Sequence, residues 1–408
     1  MTVKLLSEVQ IIRMMLKMKN WAFYSLAFFA AVSSISIAGI NIALGLTFVF
    51  VLMMLYRGEL SSALINRPII KGAGLFIITA LLSAAFSQQP IAAIDRAGAY
   101  FVRMAPFFFV ALIATSQRDL YGLLGLAGIS LCVAELGIIW QKVNGASPDG
   151  FFSNAMMMAG IFSQWIPLLT ILAIKAWGRE EKNKVFCWAA LLGLFLGLAA
   201  LVFNRTRGAW IAVAVSVGLI VMTNFKENKK NVLIGCIAGS VLLIIVNQYY
   251  DIINRLMTIF MLDYQSNSER LLLWKSAWQM FLDYPLTGVG AENFAFQYLT
   301  TYISPLAKER LGHAHSNFFQ ILAEQGMLGI LAFIYMFWVI LKEAWKGVAR
   351  KSIWGEMLFY LTIGLLIQGM TEYNFGNAVV IRMYWFLVGI STVGMYLELK
   401  AEKALQEE

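Results

Sequence analysis

The sequence predicts an all-α, polytopic membrane protein with about twelve transmembrane helices and one partly helical outer loop. Composition is the first reason. The 408 residues are 60% hydrophobic and only 13% charged, against about 25% charged in an ordinary soluble domain. Mean hydropathy is +0.71. Run length is the second reason. Apolar stretches of ~17–25 residues, each long enough to cross ~30 Å of hydrocarbon, recur from end to end. Backbone groups in lipid must be satisfied within the segment, so such runs mean helices. No heptads, low-complexity tracts or clear repeats are visible.

The elements follow in order. Residues 1–20 carry Lys4, Arg13, Lys17 and Lys19 and lack a short apolar core with a small-residue cleavage site, so a cytoplasmic amphipathic lead-in is expected. Spans are predicted near 21–39, 40–56, 69–86, 98–115, 120–140, 155–175, 185–203, 208–224, 231–248, 317–341, 356–373 and 377–398. This divides the chain into an N-terminal transmembrane region (1–248, about nine spans), a large outer loop (249–316) and a C-terminal transmembrane region with a tail (317–408, about three spans).

Lys and Arg set the orientation. With the N-terminus inside, the inner connections hold Arg57, Arg67 and Lys71, then Lys175, Arg179, Lys182 and Lys184, then Lys226, Lys229 and Lys230. Lys342, Lys346, Arg350 and Lys351 follow, then Lys400 and Lys403. Both termini are thus expected in the cytoplasm. The net charge of +9 follows from this bias and does not call for nucleic acid. Cys132, Cys187 and Cys236 fall far apart inside apolar runs, which argues against disulfides and a metal cluster.

One short outer connection breaks the charge rule: Asn204-Arg205-Thr206-Arg207-Gly208. Snorkelling to headgroups is one explanation for its arginines; an anion site is the other. In the long loop, Ser266-Asn267-Ser268-Glu269 has capping-box spacing. An amphipathic helix should follow, with Leu271, Trp274, Trp278 and Phe281 on its apolar face. Asp283-Tyr284-Pro285 should end it, and Thr287-Gly288-Val289-Gly290 reads as a tight turn.

Arg103, Glu135, Glu324, Glu372 and Arg382 lie inside predicted spans. The topology puts all of them in the outer half of the bilayer, where charges are costly and face a bundle interior or a wet cavity. Ion pairing among them is one expectation; a polar cavity open to the outer face is the favoured one. The two histidines of the chain, His313 and His315, stand on that side. Imidazole is the side chain best suited to proton transfer near neutral pH, and guanidinium grips phosphate oxygens through a rigid bidentate fork. Arg205, Arg207, Arg270, His313 and His315 together are suited to holding a lipid-linked pyrophosphate while a histidine takes a proton from an attacking hydroxyl. Ser316 or Asn317 should cap the next spanning helix, with Gln320 completing the pattern. No metal is expected, because His-x-His supplies two ligands where three or four are wanted, and no nearby Cys or Asp-x-Asp run completes the set. Asp263 and Glu269 are the acids considered for that role. There is no Walker loop and no dinucleotide fingerprint.

These motifs resemble the O-antigen ligase and polymerase superfamily. Thr206-Arg207-Gly208-Ala209-Trp210 is similar to its arginine motif. Ser268-Glu269-Arg270, Pro285-Leu286-Thr287-Gly288-Val289-Gly290 and Asn293-Phe294 resemble its large periplasmic loop. His313-Ala314-His315-Ser316-Asn317, followed by Gly326-Met327-Leu328-Gly329, resembles its His-Ser/Asn and Gly-x-x-Gly signature. The motif-bearing part runs from about Asn204 to Gly329.

The resemblance implies a C-type glycosyltransferase in the inner membrane of a Gram-negative bacterium, with its active site on the periplasmic face. It implies transfer of glycan from undecaprenyl pyrophosphate to lipid A-core oligosaccharide, without cofactor, metal or nucleotide sugar. Carried over by motif, His315 is the general base, and Arg207 and Arg270 bind the pyrophosphate. Arg205, His313, Arg103, Glu324 and Arg382 are supporting candidates from position alone. Ligase ranks first and polymerase second. A lipid-linked oligosaccharide flippase is the alternative from another class, disfavoured because the buried charges keep to one half of the bilayer and no repeat is visible.

Overall fold

The computed structural model describes residues 18–58, 68–152, 154–176, 184–225 and 252–407, with scattered positions between 229 and 248. The described residues are all-α, with no strand among them. Helices α1 (18–32), α2 (Ile37–Tyr56), α3 (Pro68–Ala85), α4 (Pro90–Arg103) and α5 (Ala105–Ile113) come first. Then follow α6 (Gln117–Val143), α7 (Ala155–Ala176), α8 (Lys184–Asn204) and α9 (Arg207–Asn224). Beyond the partly described stretch come α10 (Gln265–Asp283), α11 (Asn317–Ala349), α12 (Ile353–Gln368) and α13 (Ala378–Glu407). Nine helices among the described residues are long and apolar enough to cross a membrane, with α4 and α5 counted as one. The chain is a multi-pass membrane protein.

Helices break where the local chemistry offers an alternative partner. The predicted junction at 39–40 falls earlier, at 33–36, because Ser36 caps α2 by accepting from the Gly39 N–H (3.1 Å). Ser116 and Asp119 form a reciprocal capping box at the start of α6. The span predicted at 98–115 starts at Pro90 and bends at Met104, where Pro106 withholds an amide from the ladder. The span predicted at 356–373 stops at Gln368, and the residues after it fold back into the protein as a buried loop. The predicted span 231–248 and Cys236 fall in the partly described stretch, and the lead-in through Lys17 lies outside the described residues. Cys132 and Cys187 carry free thiols.

Helices α7 and α13 form the centre, buried along most of their length, whereas α2 and α8 turn much of their apolar surface outward. The ends of α3, α8 and α12 and the starts of α4, α7, α9, α11 and α13 meet on one face, which also carries the long loop. We call it the loop face.

The loop is built into the bundle. Helix α10 starts at Gln265 behind Tyr264, so the predicted Ser266–Glu269 capping box does not form. Instead Ser266 Oγ accepts from Arg270, and the Glu269 carboxylate accepts the backbone N–H groups of Lys308 and Glu309. Its buried stripe is Leu273, Ala277 and Met280, beside Phe281 and the partly buried Trp274. Of the apolar face read from sequence, on a helix expected to lie on the membrane or on the bundle, Leu271 and Trp278 are exposed. The helix lies on α11, and that contact selects the small and slender side chains for the inner face.

Pro285–Gly290 then enters a gap in α11. Gly326 has φ +62°, ψ −156°, which interrupts the helix. The carbonyls of Ala323 and Glu324 accept from the N–H groups of Val289 and Gly290 (2.9 and 2.8 Å). Across the gap, the N–H groups of Met327 and Leu328 donate to the carbonyls of Pro285 and Leu286 (2.8 and 3.2 Å). A Cβ at Gly326 would stand 2.6 Å from the Leu286 carbonyl carbon. Gly326→Ala is therefore expected to cost about 2 kcal/mol or more, from the left-handed backbone alone, with the clash added. Thermal unfolding of the purified protein measures it, and an unchanged midpoint would refute the interlock.

Candidate active site

His315 ends the loop and sits immediately before the capped start of α11. Ser316 is the cap, its Oγ accepting from the Phe319 N–H (3.5 Å). Gln320 does not close the box expected from sequence. Its Oε1 accepts from the Ala314 N–H (2.6 Å) and its Nε2 donates to Glu324 (2.9 Å). The Ala314 carbonyl takes the indole N–H of Trp274 (3.0 Å), and that ring stacks on Phe319. The segment is thus clamped between α10 and α11. His315 itself adopts φ +46°, a left-handed conformation uncommon for a side-chain-bearing residue and concentrated at functional sites.

The partner of His315 comes from the loop after α12. Its Nδ1 lies 3.0 Å from Glu372 Oε2. Asn317 holds that loop in place. Its side chain donates to Asn374 Oδ1 (2.6 Å) and accepts from the Phe375 N–H (2.9 Å), and its own N–H donates to the Gly369 carbonyl (2.8 Å). Burial pushes Glu372 upward, but the His315 hydrogen bond, supported by nearby groups that include Arg270, outweighs it and holds the carboxyl below its usual range. His313, whose ring centroid is 4.1 Å from that of His315, is driven down to about 4. Burial is the main cause, reinforced by His315 and Arg270 and opposed by Glu372.

Beside this pair lies a cavity of about 250 Å³, lined among others by Arg96, Glu292, His313, Gln320, Glu324 and Glu372. Arg96 pairs with Glu292. The polar cavity expected from the buried charges is present. The expected ion pairing among those charges is not: Glu324 accepts from Gln320, Glu372 meets His315, Arg382 donates to Asn41, Glu135 meets the Cys132 thiol, and the buried Nη1 of Arg103 has no hydrogen bond.

The arginines form a second group next to the first. Arg207, the first residue of α9, donates to Thr258 Oγ1 (2.7 Å) and Asn267 Oδ1 (3.0 Å) and lies 4.7 Å over the Tyr264 ring. It stands within electrostatic range of Arg270, which in turn senses Glu372 and Glu309. Arg270 Nη1 donates to Ser266 Oγ (3.0 Å), while its buried Nε has no partner. Arg205 is exposed, at φ +59°, and its carbonyl accepts from Arg255 Nε (3.2 Å). Sequence reasoning missed Arg255, which joins Arg205 and Arg207 within electrostatic range.

The structure therefore brings together His313, His315, Glu324, Arg270 and Arg207 and leaves Arg205 at the edge. Of the predicted site residues, His313 and Glu324 line the cavity, whereas His315, Arg205, Arg207, Arg270, Arg103 and Arg382 do not. The expected shortage of metal ligands beside the histidines is corrected: Glu372 supplies the third ligand-type side chain that the sequence lacks nearby. One ligand atom each from His313, His315 and Glu372 lies within 4.8 Å of the others. Asp263 is exposed, and Glu269 is engaged by the backbone amides of Lys308 and Glu309.

A multi-pass helical membrane protein with a buried His–Glu pair, a polar cavity and clustered arginines at one face is equipped for proton removal next to an anion. Residues 192–334 match the profile of a family described as O-antigen ligase. The match runs from α8 through the arginine segment, the loop and both histidines into α11. No curated protein matches the chain.

His313 is depressed in the folded protein, so its contribution to stability is complete above its unfolded value near 6.5 and is lost as pH falls toward about 4. His313→Gln should flatten that part of the stability–pH curve, measured by thermal unfolding across that window; a curve parallel to wild type would contradict the assignment. Asn317→Ala leaves the buried Phe375 N–H without its acceptor and should cost about 2–3 kcal/mol, read from the same unfolding measurement.

Proposed function

We propose that this protein is an inverting glycosyltransferase that moves O-antigen glycan from undecaprenyl pyrophosphate to lipid A-core at the periplasmic face. The His315–Glu372 pair within reach of Arg270 carries the reading. The Glu372 carboxylate, held ionised, accepts from Nδ1–H of His315. That fixes the tautomer and leaves Nε2 with the free lone pair. Nε2 takes the proton of the acceptor hydroxyl as its oxygen bonds to the anomeric carbon. The bond from that carbon to the pyrophosphate oxygen breaks, and the leaving group departs with the electron pair. Arg207 and Arg270 stabilise the charge that develops on it, with Arg255 and Arg205 at the entrance.

The profile match over residues 192–334 supports this chemistry and is shared by ligases and polymerases. The same four groups serve a polymerase if the acceptor is a second lipid-linked repeat. Both termini in the cytoplasm and a loop in the periplasm complete the proposed placement, in the inner membrane of a Gram-negative bacterium.

The test is a defined assay with purified protein, polyprenyl-pyrophosphate-linked glycan and lipid A-core, run with chelator and without nucleotide. His315→Ala should lose about 10²–10⁴ of the rate and Arg207→Ala about 10²–10³. Glu372→Gln should lose rate that Glu372→Asp partly restores. Glycan on lipid A-core identifies the ligase; glycan lengthening on the carrier identifies the polymerase. Full transfer by folded His315→Ala would sink the base assignment, and no transfer by wild type in either format would favour a flippase.

A further inference from the structure

Arg103 and Arg382 lie apart from the arginine cluster around Arg207 and Arg270. Arg103 ends α4 and is 9% exposed. Its nearest partner is the face of Tyr100, 5.8 Å from the ring centroid, and its buried Nη1 has no hydrogen bond. Arg382, one turn into α13, donates to Asn41 Oδ1 on α2 (2.6 Å), while its buried Nε has no partner. The two guanidinium groups are within electrostatic range of each other. Neither has a carboxylate partner among the described residues.

Arginine does not shed its charge. Two like charges inside a bundle, with unused donors and no counter-ion, are a net cost unless an anion joins them. The surroundings indicate which anion. The neighbouring side chains Phe101 and Val102 on α4 and Ile42 on α2 are exposed on spanning helices, where they meet acyl chains. Basic pockets between spanning helices are a known fit for lipid headgroups, and guanidinium binds phosphate through paired hydrogen bonds.

We propose that Arg103, Arg382 and Asn41 form a binding site for the phosphate headgroup of a membrane lipid, entered sideways between α2, α4 and α13 and separate from Arg207 and Arg270. The site stands whether or not the protein transfers glycan.

The full-length protein, delipidated in a neutral detergent, is the material for the test. Phosphatidic acid, diacylglycerol and inorganic phosphate are added separately. Thermal unfolding and native mass spectrometry are the readouts. Phosphatidic acid should raise the unfolding midpoint and remain bound, and diacylglycerol should do neither. Arg103→Met should unfold at a higher temperature than wild type without lipid, because the unpaired charge is gone, and should lose the response to phosphatidic acid. Arg382→Gln, at a more open position, should bind phosphatidic acid about tenfold more weakly or worse and decides the matter if Arg103→Met does not fold. Equal responses in wild type and Arg382→Gln, or an unresponsive wild type, would overturn the proposal. A response to inorganic phosphate alone would overturn the lipid assignment in favour of a free-ion site.

Discussion

Helix α11 does not close its own hydrogen-bond ladder at Gly326; Pro285–Gly290 closes it. Intrahelical bonds from Met327 to Ala323 and from Leu328 to Glu324 are exchanged for bonds to and from the inserted backbone. In a low-dielectric setting each of those groups is expensive to leave unpaired, so the inserted segment is required wherever the break exists. Ser83 of α3 adds a bond to the Glu324 carbonyl (2.7 Å), and Asn293 just beyond the insert meets Ser87. The loop is thereby fixed in register with α3, α4 and α11. Everything the loop carries inherits that registration: Arg255 and Arg270 in its first part, Glu292 on the cavity wall and the histidines at its end.

The site depends on a second join. His315 and Glu372 sit on segments that never touch in sequence, and Asn317 brings them together by binding the loop after α12 through both faces of its amide. The electrostatics then separate the roles. Glu372 is kept ionised by the His315 hydrogen bond with help from Arg270, and His313 is kept neutral chiefly by burial. The oxygen that accepts, the ring that is oriented and the ring that fills space are distinguished by surroundings, not by residue type.

Helices legible in the sequence are those that coincide with hydrophobic runs: α3, α6, α7, α8 and α9 fall close to their predicted bounds, whereas α11 starts where predicted and runs on to Ala349, past the predicted end at 341. Loop-side ends were less legible. The predicted span runs on past Gln368 to 373, yet Gly369 and Asn374 are claimed by Asn317 and the chain leaves the helix there. Periodicity marks the apolar repeat of α10 but not which neighbour it meets; Leu273 and Ala277 are buried, while Leu271 and Trp278 stay exposed. His315, Arg207 and Arg270 were visible as scarce residue types in recognisable order. Glu372 was visible as a buried charge but not as a partner of His315, since a contact across that sequence distance leaves no local signal. Arg255 left none either, lying among ordinary loop residues.

The exchanged bonds at Gly326 also bear on the order in which the protein can mature. The first turns of α11 need acceptors and donors from residues that precede it in the chain and lie between two bundles of helices. Closing that long connection carries an entropic cost before any contact repays it, and non-local pairings of this kind form late. The helix can therefore enter the bilayer as a span before its upper part is secured. The His–Glu pair, which rests on that upper part, is assembled only when the loop has docked. A chain whose loop has not yet docked accordingly lacks the assembled His315–Glu372 pair.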